Sequence, residues 1–155
     1  MQELTKSDIE ELLKKRNLDP KVSWLYIQFK KFFEDEYIID EIDLNDAIKN
    51  LLNFLRNKKI NKIIFFPEPS FAGIDGDVPS GIINIDELEE FLKENVDPIT
   101  NSHIADENLK WILTITHEDD FFISGGKTFI SDFVKFFGNA KCTPYKEIEE
   151  KWKNK

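Results

Sequence analysis

The chain has 155 residues, 41% of them hydrophobic and 33% charged, with 14 phenylalanines, a formal charge of -9 and a pI near 4.8. That length supports one domain, 1–155, with a real core and is short for two, and the apolar and aromatic content excludes a disordered chain. The negative charge opposes nucleic acid and anionic membrane at long range and favours a cationic partner, although acidity also serves solubility alone.

In chain order, the opening MQELTKSDIEELLKKR reads as charged helix from its start, with a helix over 6–16 capped by Thr5 or Ser7 and carrying Ile9, Leu12 and Leu13 on one face. From Lys21 to Tyr37, Trp24, Leu25, Phe29, Phe32 and Phe33 recur at helical spacing and predict a second helix. A third runs from Leu44 to Asn57 behind Asp43, with Ala47, Ile48, Leu51, Leu52, Phe54 and Leu55 facing a core. Lys62 to Pro67, KIIFFP, is a strand buried on both faces, and 67–81 is a long glycine- and proline-rich loop. An extended piece, Ile82 to Ile85, precedes a helix over 87–94 with Asp86 as N-cap, and 97–107 is a polar connection. Trp111 to Thr116 and Phe121 to Ser124 are strands joined through HEDD. Lys127 to Phe137 is an apolar-faced helix ended by Gly138, and Thr143 with Pro144 opens a last helix to Lys153. These elements predict an α+β fold, N-terminal helices followed by a small antiparallel sheet with helices packed on it.

The reactive side chains concentrate in WILTITHEDDFFISGG, Trp111 to Gly126. His117-Glu118 lacks the second histidine that a helical HExxH zinc site needs, and the other histidine, His103, falls in the polar connection, so no metal site is expected. Ser124-Gly125-Gly126-Lys127-Thr128 imitates the end of a phosphate-binding loop, but Phe121 occupies the place of its first glycine, so the glycines read as a turn that feeds a helix. Asp75-Gly76-Asp77 departs from a calcium loop, because Pro79 stands at its fifth position and Asp86 at its twelfth. No serine sits in a GxSxG elbow. The single cysteine, Cys142, rules out an internal disulfide and a multi-thiolate zinc site, and no cofactor is implied. With no apolar signal core and no run long enough to cross a bilayer, the expected location is cytoplasmic.

With Glu118-Asp119 as a two-residue tip, Trp111, Leu113 and Ile115 would share a face with Phe122, and Thr114 and Thr116 would share the other with Phe121 and Ile123. Like charges crowded at Glu118, Asp119 and Asp120 cost stability unless something positive meets them. These three, and after them Asp75 and Asp77, are the candidate partner contacts, with a further acidic tip at Glu34-Asp35-Glu36.

The segment LKWILTITHEDDFFISGGKTFISDFVKFF resembles the carboxyl-terminal part of small acidic bacterial proteins grouped with the immunity proteins of polymorphic toxin systems, through its Trp strand, its Thr-His-Glu turn and its aromatic helix. The resemblance implies a stoichiometric inhibitor that covers the active site of a basic toxin, commonly a nuclease, without catalysis of its own. Two other readings remain open. One is a small hydrolase-type enzyme using His117 and Glu118, which predicts a concave pocket at His117; the other is a peptide-binding regulatory domain.

Overall fold

The structure, a computed structural model, describes residues 1–19, 35–39, 44–67, 80–95, 101–115, 121–138 and 142–144, with the backbone alone for 35–39, 44–45, 95 and 142–144. Among the described residues, eight strands form one sheet: β1 (Gln2–Leu4), β2 (Asp35–Ile39), β3 (Lys62–Pro67), β4 (Ser80–Asn84), β5 (Ser102–Ala105), β6 (Trp111–Ile115), β7 (Phe121–Gly125) and β8 (Cys142–Pro144). Their order is β1-β4-β3-β5-β6-β7-β2-β8, and each described pairing is antiparallel. With helices α1 (Lys6–Lys15), α2 (Leu44–Asn57), α3 (Ile85–Asn95) and α4 (Lys127–Phe137), the fold is α+β, an antiparallel sheet with helices packed on it. Among the described residues no helix is long and apolar enough to cross a membrane.

Side chains alternate along each strand, so the sheet sorts its residues into two faces. Ile63, Phe65, Ile83, Ile104, Trp111, Leu113, Ile115, Phe121 and Ile123 form one face. They pack with Ala47, Ile48, Leu51, Leu52, Phe54 and Leu55 of α2, Ile85, Leu88 and Leu92 of α3, and Ile130, Phe133 and Phe137 of α4. Phe54 joins two of the helices, its ring 5.4 Å from Phe129 and 5.2 Å from Phe133, both nearly perpendicular, the arrangement that the ring quadrupoles prefer. On the opposite face Ile64, Phe66, Ala105 and Ile112 meet Ile9 and Leu13 of α1 and the following Leu18. A sheet with cover on both faces explains why KIIFFP reads as a continuous apolar run rather than an alternating one.

The β6–β7 register corrects the hairpin expected from sequence. Leu113 pairs with Ile123 and Ile115 with Phe121, one residue away from the pairing that a Glu118-Asp119 tip would set. A one-residue slip exchanges the faces of a whole strand. Phe121 and Ile123 therefore join Trp111, Leu113 and Ile115 under the helices, while Phe122 lies with Thr114 on the other side. The tie is broken by α4, whose Ile130 and Phe133 require apolar partners on the face that β7 presents to them.

Several further elements differ from expectation. The N-terminal residues Gln2–Leu4 are an edge strand on β4, and α1 begins only at Lys6. Of the helix expected over 21–37, the last three residues, 35–37, belong instead to β2, set between β7 and β8; positions 20–34 lie outside the described residues. Asp35 and Glu36 are thus strand residues in register with Gly125 and Ser124, not part of a turn. The polar connection 97–107 contains β5, and Thr143 and Pro144 belong to β8 rather than to a helix start. Asp86 stands in the first turn of α3, which begins at Ile85, instead of capping it. The misread strands have three to five residues, too short to show a period, and their hydrogen bonds come from strands remote in sequence. By contrast α2, β3 and α4 have the bounds expected of them.

Local caps fix the helix ends. Thr5 N donates to Asp8 Oδ2 at 2.9 Å and Asp8 N to Thr5 Oγ1 at 3.0 Å, a reciprocal box that closes the first turn of α1. The Thr5 amide, and then its hydroxyl, hold the Asp8 carboxyl below its ordinary range. Both α1 and α2 end in Schellman turns. Leu18 N donates to Leu13 O and Ile60 N to Leu55 O, with Asn17 and Lys59 left-handed at φ 59 and 60. Leu109, in the β5–β6 turn, is also left-handed at φ 55. A leucine tolerates that conformation here because its side chain is buried beside Leu13 and Leu18, and Arg16 Nη2 donates to its carbonyl at 3.3 Å.

Candidate functional site

The residues expected to carry function, His117, Glu118, Asp119, Asp120, Asp75 and Asp77, lie outside the described residues. The strand ends that bound them are described. Ile115 and Phe121 flank positions 116–120 and pair with each other, while Pro67 and Ser80 flank positions 68–79. Ser102 pairs with both Pro67 and Ile115, so all of these ends lie at the same end of the sheet, and Ile39 joins them through its pairing with Phe121. At the opposite end, the turns and first residues of the next elements carry Lys58, Lys59, Lys62, Lys110 and Lys127, all exposed. Asp35, Glu36, Asp86, Glu87, Asp106 and Glu107 lie at the same end, so it carries charges of both signs.

The described residue with the most chemistry is His103, which sequence reasoning placed in a polar connection. It is the second residue of β5 and 0% exposed. Its Nδ1 lies 2.9 Å from Thr114 Oγ1 on the neighbouring strand, and its ring lies 5.0 Å from that of Phe66. Thr114 and Ser124, both 1% exposed, lie on the same face, opposite α2, α3 and α4, with Thr114 paired to His103 and Phe122 and Ser124 paired to Ile112. An imidazole within hydrogen-bond reach of a hydroxyl is the arrangement of a base and a nucleophile. Complete burial gives it a different role, because a reacting group must be reached by substrate and His103 is not. The pair satisfies two polar groups that the sheet would otherwise strand in its interior. Its signal in the sequence was only the four residues SHIA between polar residues, too brief to announce a strand.

The apparent phosphate loop is a packing device. Gly125 closes β7 where an added Cβ would stand 3.0 Å from Trp111 Cβ and 3.3 Å from Phe129 Cδ1, so glycine allows the Trp111 and Phe129 rings to stack 5.0 Å apart. Gly126 caps α4 without a side-chain hydrogen bond, and Lys127, its first residue, is exposed. This is the turn into a helix that the pattern predicted.

Other features of the surface and interior carry little chemistry. A void of about 10 Å³ lined by Ala47, Ile48, Leu51, Leu113, Ile115, Phe121, Phe133 and Phe137 is wholly apolar and holds at most one water. Among the described residues no group of three histidine, cysteine, aspartate or glutamate side chains is arranged to hold a metal ion. Asp132 on α4 has its carboxyl lowered chiefly by its hydrogen bond to Lys58, an exposed ion pair that ties α4 to the end of α2.

Compared with known proteins, the chain matches no family model, no curated protein and no solved structure.

Proposed function

We propose that this chain is a non-enzymatic, acidic binding protein of the cytoplasm that neutralises a basic protein toxin, such as a nuclease, by stoichiometric association in the manner of an immunity protein. The observation that carries the reading is a convergence of strand ends. The sequence holds Glu118, Asp119 and Asp120 in one connection and Asp75 and Asp77 in another, and the ends bounding both connections lie together beside Ser102. Carboxylates in those two connections, within a chain of charge -9, would present an acidic field to a partner. Such a field steers a cationic partner and sets its orientation. The complete burial of His103 supports the same reading, since it removes the one described imidazole from service as a surface catalyst.

The test is isolation of the basic protein retained from host lysate at low and at physiological salt, followed by titration of that protein against the pure chain. The expected result is a 1:1 complex that blocks the partner's activity and weakens at least tenfold in the triple variant Glu118→Lys, Asp119→Lys, Asp120→Lys. Unchanged affinity in that variant would discard these contacts, and retention of no stoichiometric partner at either salt would discard the binding function.

A further inference from the structure

No further inference is drawn: the strongest candidate, the polar groove of about 310 Å³ between the end of α2 and the start of α3, lined by Arg56, Asn61, Asn84, Asp86 and Glu87, has its charged groups already paired, Arg56 with Asp86 and Glu87 with the N-terminal amine, and so selects no class of ligand.

Discussion

The two faces of the sheet solve the same problem of burial by different means. Under α2, α3 and α4 the strands present an almost wholly apolar layer, while the opposite face combines an apolar patch beneath α1 with the buried polar side chains of His103, Thr114 and Ser124. An apolar layer is non-directional: it rewards contact area and tolerates small shifts. A buried imidazole and hydroxyl are directional, and they favour only the register in which His103 meets Thr114. The difference teaches that one face supplies most of the cohesive energy, whereas the other helps to specify which strands pair and how.

Five substitutions test that division, beginning with the largest effect. Phe133→Ala on α4 removes a fully buried ring that touches Phe54 and Phe137, and should lower unfolding free energy by about 3–5 kcal/mol in urea titration. A loss below about 1 kcal/mol would show that the helical layer is not the main source of cohesion. Thr114→Val keeps the shape and deletes the hydroxyl facing His103; the expected loss is about 1–3 kcal/mol, with slower exchange protection lost first in β5 and β6. If stability is unchanged, the His103–Thr114 pair does not specify the sheet.

Thr5→Ala opens the capping box of α1, the helix that covers the apolar part of the second face, at a cost of about 1 kcal/mol. The same box makes a pH prediction. The folded Asp8 carboxyl lies below its ordinary value of 3.8, so its contribution is fully present above that value and is lost as pH falls through the lower folded value. Thermal melts of wild type and Asp8→Asn should therefore differ at neutral pH and converge in strong acid; a gap that persists there would assign the box no electrostatic role. Ser102→Ala should be the smallest change, within about 0.5 kcal/mol of neutral or slightly stabilising, because the buried Ser102 hydroxyl has no hydrogen-bond partner among the described residues. A clear destabilisation would mean that the hydroxyl is satisfied in solution by a bound water.

Legibility in the sequence followed the length and period of each element. The fourteen residues of α2 repeat their apolar positions over several turns, and KIIFFP announces a strand by composition alone. No such repetition exists in QEL, DEYII, SHIA or CTP. Each of these is a strand through its neighbours, and Asp35–Ile39 in particular was hidden behind aromatic residues at helical spacing. The candidate contacts were legible as charges crowded in sequence, but their common end of the sheet was not. It depends on β5 pairing with both β3 and β6, strands separated in the chain by positions 68–79, β4 and α3.

By itself, the sequence determined the α+β class, the bounds of α2, β3 and α4, the absence of a complete phosphate or HExxH motif, and the charge that favours a cationic partner. These follow from local propensity, period and composition, which a single segment carries. The strand order, the β6–β7 register and the burial of His103 emerge from long-range packing. Each of these is a competition among pairings of similar local merit, and it is settled by which faces the helices can cover without leaving a polar group unpaired.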